Sequence, residues 1–341
     1  MNLPDYEFLS APLWLVNVLH LLTFTLHIVA MNFLLGGVII VLQAAVRRQW
    51  DDPTLARFAR LFPSATAATV SLGVAPLLFL QLVFPRQMYA AAAVSGWFWM
   101  GVIAAVIMAY YALYRASFQA QAKGGVNKLA LAVALVGLLY VSLVYSSVFS
   151  MAEQPDQIRD LYAHNQTGLV WNPAVGDYGL RWLHMVLGAV TVGGFFVGLI
   201  GRDDPRVFAT GRTFFVGGMV AVALAGMAYL LSLQDWLSAF MHTPAITAMS
   251  IGILLSLGSL HFFFKKKFWP AGAMLFVSML TMVFARHTVR LLKLAPQFDP
   301  ATWRVAPQWS PFLMFLVCFV VMLAVLVWML RMFFGSRKSA A

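Results

Sequence analysis

The chain has 341 residues, 62% of them hydrophobic and only 10% charged, with a formal net charge of +11 and a mean hydropathy of +0.82. A soluble domain carries roughly 45–50% apolar and about 25% charged residues, so these charges are too few to cover a globule of this size. Composition therefore excludes a soluble enzyme, a disordered tail and a nucleic-acid binder, and predicts an all-α polytopic membrane helix bundle.

A helix needs about 20 apolar residues to cross a bilayer, and open strands cannot cross it. Nine stretches qualify, approximately 12–44, 66–84, 96–117, 128–150, 179–200, 211–232, 243–264, 268–289 and 311–334, and they fill the chain as a single membrane domain, 1–341. Asp5 and Glu7 stand where a signal peptide would carry its basic region, so no leader is expected. No internal repeat at a fixed period is evident. Most of the 23 basic residues, among them Arg47, Arg48, Arg57, Arg60 and Lys265 to Lys267, fall on one side of this layout. The positive-inside rule then predicts an N-out, C-in, multi-pass protein. The basic balance reports topology and needs no acidic ligand to explain it.

In chain order, the first span holds His20 and His27, seven apart and so on one helix face. The second holds Pro76 and Gln81. The third has no acidic residue. The loop 151–178 is the one long outer loop, and its His164 reads as a solvated residue. The fifth span opens with Arg181 and His184. Beyond the short loop Leu233–Thr243, which contains His242, the seventh carries Met249 and has His261 at its inner end beside three lysines. The eighth closes with Arg286, His287, Arg290 and Lys293, and the ninth contains the one cysteine, Cys318, which has no second thiol for a disulfide or a thiolate metal site. No Asp or Glu lies inside a predicted span, so no carboxylate relay is expected.

Five histidines, His20, His164, His184, His242 and His287, fall on the outer side. Imidazole inside a membrane needs a partner or a metal, so intramembrane histidines point to function. Heme iron, whose axial ligands are His or Met, is the natural candidate. Each histidine also has a plainer reading: His27 as a hydrogen-bonded core residue, His242 as a helix-entry residue, His261 as part of an interfacial belt, and Met249 as a gap-filler. Two histidines on one helix face do not easily clasp one iron from opposite sides. Arg181, Arg286 and Arg290 are placed to pair with heme propionates, because guanidinium binds carboxylates bidentately.

The run Arg181-Trp-Leu-His184-Met-Val-Leu-Gly-Ala-Val-Thr-Val-Gly-Gly, continuing to Arg202, resembles the heme-ligand helix of cytochrome bd quinol oxidase subunit I. Span 1, with His20 and then Met31-Asn-Phe-Leu-Leu, agrees, as does span 2, with Ser71-Leu-Gly73-Val-Ala75. The resemblance covers spans 1–3 and 5–6 better than spans 7–9. It implies two or three b-type hemes, with His184 and Met249 as axial ligands of one and His20 as ligand of a second. His287 stands as a substitute ligand where the family has a glutamate. It implies a quinol substrate and a bacterial cytoplasmic membrane. The family's glutamate in span 2 is Gln81 here, the acidic residues of its span 3 are absent, and its long loop between spans 6 and 7 is short.

The expectation is a respiratory oxidoreductase subunit passing electrons between quinol and a partner on the outer face, such as a c-type cytochrome. The alternatives are a genuine O2-reducing quinol oxidase subunit and a heme-free quinone-binding membrane anchor. A transporter is disfavoured because Pro76 has no counterpart in the other half.

Overall fold

The computed structural model describes residues 9–123 and 125–338, without the side chains of 123, 235, 322, 323, 326, 327 and 329–338. Asp5 and Glu7 lie outside the described residues. The elements are α1 (Leu13–Val46), α2 (Asp52–Ala59), α3 (Phe62–Val83), α4 (Pro85–Val94), α5 (Gly96–Lys123), α6 (Lys128–Met151), α7 (Pro155–His164), α8 (Val175–Ile200), α9 (Pro205–Leu231), α10 (Asp235–Met241), α11 (Pro244–Phe264), α12 (Phe268–Leu294), a 3₁₀ turn at Pro300–Thr302, and α13 (Trp309–Lys338). The protein is all-α, and eight helical segments are long and apolar enough to cross a membrane, α2 and α3 counting as one. The ninth predicted span is helical as α13, with a continuous apolar stretch over Trp309–Val321 among its described side chains. Large apolar side chains such as Ile103, Ile107, Leu224 and Leu254 are exposed. On a soluble monomer they would form a sticky surface; on a bundle surrounded by lipid tails they face the solvent they are made for.

The chain divides into two compact units. In the first, made of residues 1–17 and 300–341, Leu9 is fully buried and forms a parallel bridge to Val305. Leu9 N donates to Arg304 O at 2.8 Å and Ala306 N to Leu9 O at 2.9 Å.

The second unit, Val18–Asp299, is assembled from helix hairpins. In α5–α6, Tyr140 Oη donates to Phe98 O at 3.0 Å. In α11–α12, Ser278 Oγ donates to Gly252 O and Ser259 Oγ to Ala271 O, both at 2.8 Å. Lipid gives helices no hydrophobic reason to associate, so small residues and interhelical hydrogen bonds of this kind hold them. Helices α1 and α8 cross where Gly36 meets Gly193. A methyl group on either would run into the other's backbone, and one at Gly36 would also strike the Ala189 carbonyl. The apolar core at that level includes Leu34, Val38, Val41, Phe58, Phe62, Leu113 and Val197.

This crossing exposes an internal correspondence that a fixed-period search misses. His27 on α1 and His184 on α8 each precede a Gly–Gly pair at the same spacing, Gly36-Gly37 and Gly193-Gly194. Each helix is followed by an Asp-Asp-Pro turn, Asp51-Asp52-Pro53 and Asp203-Asp204-Pro205. There Asp51 caps α2 by accepting from Thr54 N at 3.0 Å, and Asp204 caps α9 by accepting from Arg206 N at 2.8 Å and Val207 N at 3.3 Å. An anionic acceptor at this position satisfies otherwise orphaned amides. Phe62 and Phe215, both fully buried, follow at matching positions. Thus α1–α3 and α8–α9 share these local features, with connecting turns of different length and with the first set broken into two helices at Arg60-Leu61.

Candidate functional site

These shared features position two histidines in the same way. His27 Nδ1 lies 2.9 Å from Thr69 O on α3, and its ring lies where a Cβ on Gly73 would sit. His184 Nδ1 lies 3.0 Å from Val222 O on α9, and its ring lies where a Cβ on Gly226 would sit. In each case the glycine is one helical turn beyond the carbonyl, so a backbone acceptor and an open strip of helix together fix the ring. With Nδ1 donating to a carbonyl, Nε2 keeps its lone pair, the second-shell arrangement that metal-ligating histidines use. His20 shares the first half of this arrangement: its Nδ1 lies 3.2 Å from Pro76 O.

His20, Phe24 and His27 form a column along one face of α1. His20 stacks on Phe24 with ring centres 5.7 Å apart, and Phe24 on His27 at 6.2 Å. At the end of the column, His287 of α12 faces His20 with ring centres 5.6 Å apart. His20 is 3% exposed and His287 5%, and neither ring nitrogen of His287 has a hydrogen-bond partner.

The three arginines expected to pair with propionates are drawn together by a residue that sequence reasoning passed over. Glu153, just beyond α6, is 3% exposed. Arg286 Nη2 donates to Glu153 Oε1, Arg290 Nε stands 3.3 Å from the same oxygen, and Arg181 Nη1 is 3.7 Å from Oε2. Arg181 also donates to Ser146 O. Beside this group, Lys293 Nζ lies 2.5 Å from Asp177 Oδ1, and Ser150 Oγ donates to Asp177 Oδ2. Burial pushes the Glu153 carboxyl up, but Arg286, Arg181, Arg290 and Lys293 outweigh burial and hold it below the usual carboxylate range. Glu153 enters the bundle from a loop, outside the predicted spans. The signal was an acidic residue two positions past an apolar run, in a chain with only 12 acidic residues.

Among the described residues, four cations meet two carboxylates here, so two positive charges are left over. Glu153 Oε2, Arg286 Nη1 and Tyr229 Oη are buried without hydrogen-bond partners. Unmatched buried charge and orphaned polar atoms are costly in a native protein. A dianionic group inserted here would match the two charges and accept from Arg286 Nη1 and Tyr229 Oη, though not satisfy Glu153 Oε2, itself an acceptor. A cavity of about 490 Å³ opens beside the cluster, lined by Glu153, Asp177, Gln234, Trp236, Lys293 and Gln297 among others.

Met249 packs in an apolar cluster with Tyr229, Leu230, Phe240 and Ala285. The remaining histidines are exposed: His164 and His242 lie 2.7 and 2.8 Å from carbonyls of their own helices, and His261 stands beside Phe262 at the end of α11. Among the described residues no group of three or more His, Cys, Asp or Glu is arranged to hold a bare metal ion. Compared with protein-family models, curated proteins and solved structures, the chain matches none of them.

Proposed function

We propose that this chain is a membrane b-type cytochrome resembling cytochrome bd quinol oxidase subunit I, transferring electrons between quinol and a redox partner on the outer face of a bacterial cytoplasmic membrane. The observation that carries this reading is the repeated histidine arrangement. His184 and His27 each have Nδ1 on a facing carbonyl, Nε2 available and a glycine beneath the ring. The glycine makes room for the ring and the carbonyl takes Nδ1–H, so each ring is fixed in one orientation with Nε2 as the nitrogen a cofactor would use. The surplus positive charge around Glu153 fits the second requirement of a heme, a home for two propionates.

A b-type heme supplies one-electron redox chemistry when bound, and the chain supplies the axial and electrostatic environment that tunes it. His184 and Met249 would hold one such heme. Arg181, Arg286 and Arg290 hold negative charge at the Glu153 end, which the N-out topology makes the outer face. The cavity beside Glu153 is the place for a quinol headgroup. Its carboxylates, Asp156 and Asp177, accept hydrogen bonds from the hydroxyls and sit where protons leave for water. The absence of span carboxylates favours electron transfer over oxygen reduction as the chemical outcome.

The test is a reduced-minus-oxidised optical spectrum with pyridine-hemochrome quantitation of the purified protein. A b-type spectrum is expected, and His184→Ala is expected to remove one low-spin heme. A protein without hemochrome signal would overturn the reading.

A further inference from the structure

The end of the bundle away from Glu153 carries more positive charge than it neutralises. Arg181 stands at the start of α8 and Arg290 at the end of α12, so the turn after α8 and the turn before α12 lie at that other end. They are joined there, because Lys266 Nζ donates to Arg202 O at 3.4 Å. The turn after α1 is tied in as well, through Trp50 Nε1 donating to Thr210 Oγ1 at 3.3 Å. In these turns, 47–52, 201–206 and 265–267, seven basic residues stand against four acidic ones. Three of the carboxylates are engaged locally: Asp51 and Asp204 cap helices, and Asp203 pairs with Arg202 at 3.6 Å. The surplus falls on 265–267, three exposed lysines in a turn with no acidic residue.

This turn has a defined shape. Lys267 N donates to Phe262 O and Lys266 N to Phe263 O, both at 2.9 Å, the paired bonds that close a helix through one left-handed residue. That residue is Lys266, with φ at 54°, a place where glycine is usual because a side chain there is strained. The lysine side chain has a use: its ammonium lies 5.0 Å from the centre of the Phe208 ring, besides its bond to Arg202. Lys266 thus pins the turn onto α9, and Lys265 and Lys267 flank it. Two exposed rings bracket the three lysines, Phe264 at 52% and Trp269 at 91%. A tryptophan at the end of a membrane helix belongs at headgroup depth, where its apolar body meets lipid and its N–H meets polar groups. The positive-inside rule accounts for the number of basic residues at this end. It requires neither a left-handed lysine nor an exposed tryptophan beside it.

We propose that the 265–267 turn is a binding site for the headgroup of an anionic phospholipid. Lys265 and Lys267 donate to its phosphate oxygens, charge-assisted bonds stronger than neutral ones. Phe264 and Trp269 lie against the glycerol and the upper acyl chain. Basic clusters at the ends of membrane helices hold anionic headgroups in this way. A lipid suits the site better than an acidic protein surface, because the ammonium groups are bracketed by apolar rings at the depth where lipid headgroups are concentrated. The bound phosphate offsets the mutual repulsion of the lysines. The proposal stands on the membrane fold alone and does not depend on the cytochrome reading.

The experiment is native mass spectrometry of the full chain in neutral detergent, titrated in parallel with phosphatidylglycerol and phosphatidylcholine. Phosphatidylglycerol is expected to bind in preference, and added salt to weaken the preference. Each basic residue beside an anionic headgroup is worth about fivefold in affinity, so Lys265→Gln with Lys267→Gln should weaken phosphatidylglycerol binding about 25-fold. Lys265→Arg with Lys267→Arg should retain it, and Trp269→Ser should weaken it with no change of charge. Arg57→Gln with Arg60→Gln, which removes two exposed charges from α2, is the control and should leave the affinity unchanged. Equal binding of the two lipids, or unchanged affinity in the glutamine variant at 265 and 267, overturns the proposal. An equal loss in the α2 control shows a diffuse basic face rather than a site and also overturns it. Full displacement of the lipid by millimolar inorganic phosphate reassigns the turn to a free anion. Retention of polyglutamate by a protein indifferent to phosphatidylglycerol reassigns it to an acidic protein partner.

Discussion

Arg290 reaches the carboxylate of Glu153 across the whole second half of the bundle, Nε to Oε1 at 3.3 Å. This contact ties the end of α12 to the loop after α6, and Arg181 and Arg286 bring α8 and a second turn of α12 to the same carboxylate. Glu153 is therefore the hinge pin of one end of the bundle. Removing the carboxylate from a buried cluster leaves guanidinium groups with no counterion, which typically costs about 3–5 kcal/mol. Glu153→Gln is expected to lower the thermal midpoint of the detergent-solubilised protein markedly. A midpoint equal to that of the unmodified protein would show that the cluster contributes nothing.

The same carboxylate sets an acid limb. Its pKa is depressed in the folded state by Arg286, Arg181, Arg290 and Lys293 despite burial, against about 4.3 for a glutamate in an unfolded chain. Its stabilisation is therefore fully present above about pH 4.3 and is lost as pH falls through the folded value. The contribution of Glu153 to the thermal midpoint is expected to be constant between neutral pH and pH 5, and to be lost below about pH 4. Measuring midpoint against pH for Glu153→Gln should show this acid-dependent loss reduced.

Gly226 leaves the space that the His184 ring fills, as Gly73 does for His27. Gly226→Val should push the ring off its carbonyl partner, Val222, and abolish the low-spin heme assigned to His184, read as one heme fewer per chain. Gly217, beside which a Cβ meets nothing within 4 Å, is the control: Gly217→Ala on the same helix should leave heme content unchanged.

The α1–α8 crossing depends on Gly36 and Gly193 together, since a methyl group on either collides with backbone rather than with a side chain that can turn away. Overpacking where the surroundings can adjust costs typically about 1–3 kcal/mol. Here backbone must separate, so Gly36→Val should cost at least that much and reduce the yield of folded protein in membranes. Fluorescence-detected size exclusion measures this directly; a monodisperse peak at unmodified yield would refute it.

His164, His242 and His261 are exposed and bonded or stacked only locally. Their alanine variants should change stability by no more than about 0.5 kcal/mol and leave the optical spectrum intact. Loss of a heme in any of them would move the site away from the buried histidines.

Much of this was readable from the amino acids. Apolar runs long enough to span a bilayer became helices at nearly the predicted positions, because in lipid every backbone amide must be satisfied within its own segment. Which side chains meet did not follow. Glu153 was not singled out, because hydropathy averages over a window and cannot see one carboxylate folding back under a helix end. The kinship of His27 with His184 was hidden by turns of unequal length. The facing of His20 and His287 depends on how α1 and α12 rotate about their axes, and helices that are apolar all round carry no stripe to fix that rotation. Composition and periodicity thus determined that this is a membrane bundle with histidines toward one end. Only tertiary packing, through glycine crossings and one buried carboxylate, decided which histidines pair and where positive charge is left unmatched.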